Sequence, residues 1–240
     1  MKMNGFCSQN QVTLQQVVQV TAPEPTASWN PVLYGDAIDF MKDTAMDTLG
    51  LDIKSEAFGL NKDGSQMFGR ITLDTGDADQ GLSIGLRQSY NKSLALGVAV
   101  GANVFVCDNL MFSGDAFKVV RRNTKNVWTD FKRLVAEQVA QAMVNYETMR
   151  EHTDMMKSMP CHEQRGYALL GVAMGKGILT PTQASVAFGD WAEPRHEEFS
   201  DRNVWGLYNA VTEGLKKGAP GTVLDRHAKA HDFFTGIVSN

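Results

Sequence analysis

Apolar and polar positions divide the chain into stretches with different periods. Between positions 7 and 20 the apolar residues Val12, Leu14, Val17, Val18 and Val20 follow no clean repeat, so a strand and a short helix both fit. Thr21-Ala22-Pro23-Glu24-Pro25-Thr26 reads as an extended linker, because each proline biases its predecessor away from helix. Over 36–49 the apolar residues Ala37, Ile38, Met41, Ala45, Met46 and Leu49 have helical spacing, and Gly50 is a natural stop.

The period then changes. Segments 57–60 and 67–73 flank the turn sequence Asn61-Lys62-Asp63-Gly64, which predicts a hairpin. After an acidic loop over 74–80, Leu82, Ile84 and Leu86 alternate with Ser83, Gly85 and Arg87 as a third strand. Tyr90-Asn91-Lys92 turns the chain into 94–100, and 104–107 and 117–120 are expected to add strands. Short β-segments joined by hairpin-type turns predict an antiparallel sheet. A long helix follows, with Trp128, Phe131, Val135, Val139, Ala142, Tyr146 and Met149 at steps of three or four, and with Thr124 or Asn126 as its cap. Beyond Pro160, helices are expected over 165–174, 181–191, 203–217 and 223–234. The expected fold class is α+β: an antiparallel hairpin sheet packed against a long helix, followed by a C-terminal helical segment. The expected division is an N-terminal arm and linker over 1–30, a sheet-plus-helix core over 31–160, and a helical segment over 161–240 packed on that core.

Composition narrows the function classes. The chain has 240 residues, 43% hydrophobic and 21% charged, which excludes a disordered or collagen-like chain and suffices for a real core. Asp and Glu number 27 against 23 Lys and Arg, so any nucleic-acid site must be a local patch. Cys7, Cys107 and Cys161 are odd in number and far apart, which argues against a disulfide framework or a structural zinc site and for a reducing cytoplasm. The first twenty residues lack a continuous apolar stretch, so no signal peptide is expected. The run 94–106 is broken by Gly97, Gly101 and Asn103 and is too short to span a bilayer, so no membrane association is expected.

Several motifs bear on chemistry. Gly81-Leu82-Ser83-Ile84-Gly85 fits G-x-S-x-G, but strand-like residues on both sides argue against a nucleophile elbow. The segment 171–177 lacks the Ser or Thr that a phosphate-binding loop needs after its lysine. His227 and His231 stand four apart on an expected helix, but without a Glu after His227 or other nearby ligands they are expected to face solvent. No metal and no cofactor are expected. The clearest charge cluster is Lys118, Arg121, Arg122, Lys125, Lys132 and Arg133, opposed only by Asp130 and interleaved with Asn123, Thr124, Asn126 and Trp128. Such groups neutralise phosphates, and a ring can stack on a splayed base. Arg87, Tyr90 and Lys92 extend this patch from a hairpin turn. The alternatives are a solvated face with Trp128 in the core, and, for Trp205, Tyr208, Asn209 and Thr212, a packing helix whose polar groups hold the fold together.

The segment WGLYNAVTE over 205–213, with 86–96, 104–111 and 119–127, resembles a phage- and plasmid-encoded family catalogued as domain of unknown function 932. The matching positions are Arg87 and Ser89, Cys107 with Asn109 and Leu110, Arg122 with Thr124, and Trp205, Tyr208, Asn209 and Glu213. Asn123 stands where many members carry His. The resemblance covers about 56–220 and implies a mobile-element protein in a bacterial cytoplasm, with no established reaction to transfer. The element order is also similar to that of single-strand annealing proteins of the Rad-fifty-two-like type, which set a hairpin sheet against a long helix with a basic groove between. That similarity implies a groove containing Arg87, Lys92, Arg121, Arg122 and Lys125.

Three functions compete. The leading one is an accessory protein of a mobile element that binds or anneals single-stranded nucleic acid as a homo-oligomer. The second is an enzyme with a small-ligand pocket near Cys107, Asn109, Arg87 and Tyr208, although no nucleophile–base pair or telling carboxylate pair supports catalysis. The third is a factor that binds a host protein, acting against host defence or in phage assembly.

Overall fold

A computed structural model describes residues 10–104, 109–119, 126–216 and 220–239, and side chains over 11–102, 126–216 and 225–239. Lys118 has its backbone but not its side chain among these, and Cys7, Cys107, Arg121, Arg122, Thr124 and Lys125 lie outside the described residues. The fold is α+β. Strands β1 (Asn10–Val12), β2 (Ile53–Leu60), β3 (Gln66–Leu73), β4 (Gln80–Ser89), β5 (Gly97–Val104) and β6 (Asn109–Val119) form one sheet in sequence order. Helices α1 (Leu14–Val18) and α2 (Tyr34–Leu49) precede β2. Helices α3 (Val127–Ala140), α4 (Ala142–Ser158), α5 (Glu163–Gly175), α6 (Pro181–Ala192), α7 (Val204–Leu215) and α8 (Pro220–Val238) follow β6. The described chain divides into two compact units, one from 10–103 with 115–146, the other from 147–239 with 104 and 109–114.

In the first unit the expected hairpins form. Gly64, in the left-handed region at φ 72°, permits the tight β2–β3 turn. Strands β1 to β4 pair antiparallel, with Phe58 opposite Gly69, Arg70 opposite Gly85 and Phe68 opposite Arg87. Period-two alternation then gives the sheet two unlike faces. One carries Phe58, Met67, Ile71, Leu73, Leu82, Ile84 and Leu86, and α2 packs on it through Ile38, Met41 and Ala45. The Lys42–Glu56 ion pair at 2.7 Å ties α2 to the strand beneath. The other face carries Ala57, Phe68, Arg70, Thr72, Ser83, Gly85 and Arg87. All ten residues of β4 are buried, so the strand is covered on both faces. Ser83 lies mid-strand with its Oγ 2.9 Å from Thr72 Oγ1, which is no nucleophile elbow. The first segment packs as well: Thr13 caps α1 reciprocally with Gln16, and Val17 is fully buried.

The long helix is two helices. Gln141, at φ −95° and ψ −2°, turns its N–H to Val139, which breaks the ladder for one residue, and Asn145 re-establishes it by donating to Gln141. The buried stripe of Val135, Val139, Ala142 and Tyr146 continues across the break. Tyr146 Oη donates to the Gln80 carbonyl at 3.1 Å and lies 3.1 Å from Thr75 Oγ1. The expected strand at 94–100 begins later, at Gly97, because Ser89 Oγ bonds both the N–H and the carbonyl of Leu94 and holds that residue in the turn.

The second unit packs around α7. Eleven of its twelve residues are buried. A Cβ on Gly214 would sit 2.6 Å from the Gln183 carbonyl oxygen of α6, and one on Gly206 would sit 2.9 Å from the Phe199 and Asp201 carbonyls. Both glycines therefore set how closely neighbouring backbone approaches α7. Gly166 of α5 likewise leaves room for the Trp191 indole, whose Nε1 donates to the Glu163 carbonyl at 3.2 Å. Gly214→Ala is expected to destabilise the protein by about 1–3 kcal/mol, because backbone cannot yield as a side chain can. Gly171→Ala, at an exposed helical site with nothing within 4 Å, is expected to stabilise it by about 0.5–1 kcal/mol. Urea titrations of both variants against the parent check this; equal effects would contradict the packing described.

Candidate nucleic-acid interface

Phe40 lies beside, not on, the buried stripe of α2 and is half-buried. Across from it α3 begins with Trp128, also half-buried, followed by the fully buried Phe131. The Phe40 and Trp128 rings meet edge to face with centroids 5.7 Å apart, and Trp128 stacks on Phe131 at 5.6 Å. Lys132, exposed and one turn on from Trp128, lays its ammonium 5.0 Å from the Trp128 centroid and 5.3 Å from that of Phe40. This is cation–π geometry on a partly open surface. Arg133 stands next to Lys132 and, among the described residues, makes an exposed, 3.7 Å contact to Glu137, a pair of little energetic weight. Asp36, Asp39, Asp43 and Asp47 line the exposed side of α2, whereas α3 carries Lys132 and Arg133 beside the rings together with Asp130 and Glu137.

The other sequence candidates occupy different places. Arg87 is buried on the polar face of the sheet, not on the surface. Register brings Arg70, also buried, diagonal to it, with Ala57 and Gly85 beside Arg70 leaving lateral room for its guanidinium. Lys92 sits at the exposed tip of the β4–β5 turn in left-handed backbone at φ 64°, with its ammonium 4.8 Å from the Trp29 centroid. Tyr90, just before it, stacks on Tyr34 at 3.8 Å and accepts the Tyr34 N–H at 3.0 Å. Burial pushes both phenols upward in pKa, so Tyr34 and Tyr90 stay neutral supports of this tip. Asn109 and Lys118 lie on β6.

Sequence reasoning missed Phe40 and Arg70. Phe40 was detectable as a ring off the stripe Ala37–Ile38–Met41–Ala45, and Arg70 as sharing parity with Phe68 and Thr72.

The residues of the 205–213 segment form interior structure. Trp205 and Tyr208 stack at 5.6 Å, and Asn209 donates to the Trp205 carbonyl at 3.0 Å while Thr212 donates to that of Asn209 at 2.9 Å. Glu213 accepts from Arg195 and from Lys216, each at 2.5 Å, and Arg195 reaches Asp190 at 3.2 Å. Burial lifts the Asp190 carboxyl above the usual range, and Arg195 pulls it back. His227 and His231, expected at the surface, are each 1% exposed. Their spacing with Ala230 and Phe234 places them on the inward face of α8. Among the described residues no group of three or more His, Cys, Asp or Glu could hold a metal ion.

This arrangement, a sheet-and-helix unit followed by helices around the 205–213 helix, spans the match to one family model, a domain of unknown function, over residues 27–235. The chain belongs to the DUF932 family. The match takes in every element from α2 to most of α8 and begins just after the proline linker. No curated protein and no solved structure matches the chain. Within this DUF932 protein the 205–213 segment works through packing and ion pairing, so its chemistry is testable as stability. Arg195→Met leaves Asp190 and Glu213 facing each other without their shared cation and is expected to cost about 2 kcal/mol at neutral pH, part of the burial penalty being relieved because Arg195 is half-exposed. Loss of the guanidinium raises the Asp190 carboxyl further, so the folded variant binds protons more readily than its unfolded chain and its stability falls as pH rises. The deficit against the parent should therefore be larger at pH 7.5 than at pH 4.5 in urea melts; a deficit independent of pH would exclude this linkage.

Proposed function

We propose that this DUF932 protein binds single-stranded nucleic acid, with α3 presenting the contact surface. The observation that carries this is the Lys132 ammonium over the half-buried Trp128 and Phe40 rings, where the basic segment 118–125 leads into the helix. An unpaired base can take the ring face while the displaced ammonium moves to the adjoining phosphate, and Arg133 can exchange its weak Glu137 contact for the next one. A duplex keeps its bases stacked inside and offers no such face. The acidic row on α2 repels a polyanion and would direct the strand along α3. In the same proposal the protein serves a mobile element in a bacterial cytoplasm, acting as a homo-oligomer in annealing; this rests on the resemblance and on element order. No helix among the described residues is long and apolar enough to cross a membrane.

Of the residues of the small-ligand reading, Cys107 lies outside the described residues and Tyr208 is fully buried.

Fluorescence anisotropy with a labelled oligothymidylate tests the proposal. Binding is expected to weaken steeply between 50 and 200 mM salt, roughly as the inverse power set by the phosphates neutralised. Trp128→Ala is expected to weaken it about tenfold, within the roughly 1–3 kcal/mol that a stacked base contributes. Lys132→Glu with Arg133→Glu should flatten the salt dependence. Absence of binding by the parent at 50 mM salt overturns the proposal.

A further inference from the structure

Three helices of the second unit bring ionisable rings together in the interior. His231, 1% exposed on α8, has its Nε2 3.0 Å from Nδ1 of the half-buried His152 on α4, with ring centroids 5.1 Å apart. Tyr208 of α7 meets the His231 ring edge to face at 6.3 Å and Phe234 at 5.4 Å. The Tyr208 hydroxyl and His231 Nδ1 have no hydrogen-bond partner among the described residues. One imidazole N–H therefore serves both histidines, and this neutral arrangement leaves His231 no acceptor for a second proton.

We propose that the His152–His231 pair is an acid-sensitive latch, whose neutral hydrogen bond holds α8 on α4 and α7 and whose protonation releases α8. Among the described residues none hydrogen-bonds His231 Nδ1. On α4, beside His152, Glu151 and Asp154 point to solvent, and Met149 and Met156 are the buried neighbours. On α7 the facing group is Tyr208, held neutral because burial pushes its phenol far up. On α8, His227 is buried one turn earlier, Asp232 is exposed, and Arg226 is engaged with Gln183 of α6 at 2.5 Å. Burial, and secondarily the His152 charge, lowers His231 to about 4.

The sign follows. An undocked His231 regains its ordinary affinity near 6.5 and binds a proton that the docked one refuses, so docking weakens as pH falls from about 6.5 towards 4 and levels off below. Between pH 7 and pH 5 the opening equilibrium of α8 should rise about 20-fold. Hydrogen–deuterium exchange on the full chain reads this, corrected for intrinsic rate, with α7 as internal reference. Exchange over 225–238 is expected to rise while that of 204–215 does not, and His231→Phe, which keeps the ring volume, should abolish the rise. A flat α8 profile, or loss of α7 and α8 together in parent and variant alike, overturns the latch. Should His231→Phe not fold, the His231 ring titrated by NMR in the parent decides. An apparent midpoint below 6 that coincides with α8 opening supports the latch, and one near 6.5 without opening overturns it.

Discussion

The second unit depends on burying α7 on every side. A helix buried all round cannot use water for its polar side chains, so partners have to come from within the protein, and the Tyr208 hydroxyl has none among the described residues. Asn209 and Thr212 solve this by bonding carbonyls of their own helix. Glu213 cannot, and it draws in Arg195 and Lys216, which in turn fixes the segment carrying Arg195 and covers Asp190. Gly206 and Gly214 let neighbouring carbonyls approach where a methyl would collide. The Trp-Gly-Leu-Tyr-Asn-Ala-Val-Thr-Glu pattern is thus readable as a packing solution: rings to fill, glycines to admit backbone, and short polar groups that satisfy themselves.

The first unit meets a different constraint. Its central strand β4 is covered on both faces, yet the faces differ in chemistry. The apolar face is ordinary core under α2. The other buries two guanidiniums, Arg70 between Ala57 and Gly85, and Arg87 opposite Phe68. Buried charge is costly unless it is compensated, which sets that face apart from the ordinary core under α2. The exposed cations are placed otherwise, over rings at Lys132 and Lys92.

Much of this was legible in the sequence, and the exceptions have physical causes. The hairpins were visible because turn chemistry and period-two alternation agree over 57–89, and α2 because its stripe ends at a left-handed Gly50. The break at Gln141 was not, since it involves neither Gly nor Pro and leaves the apolar stripe in phase. The late start of β5 turns on one serine hydroxyl, which no periodicity reports. His227 and His231 were expected at the surface from their chemistry, whereas their spacing with Ala230 and Phe234 already placed them inward. For histidine, period was the better guide than polarity.

The same contrast separates what the family resemblance carries from what it does not. The 205–213 segment, the most specific part of the resemblance, is almost wholly interior, so it reports how the second unit packs and leaves the chemistry at the surface unspecified. Function has to be sought where residues depart from the burial that their type prefers. Trp128 and Phe40 are such residues: large rings packed on each other and on Phe131 but left half-open, with the lysine ammonium over the open side. A lysine can leave that position at little cost, which a buried Leu could not. On the proposed function, rings held under a displaceable cation would receive a ligand bringing both a flat face and a negative charge, as an unpaired nucleotide does.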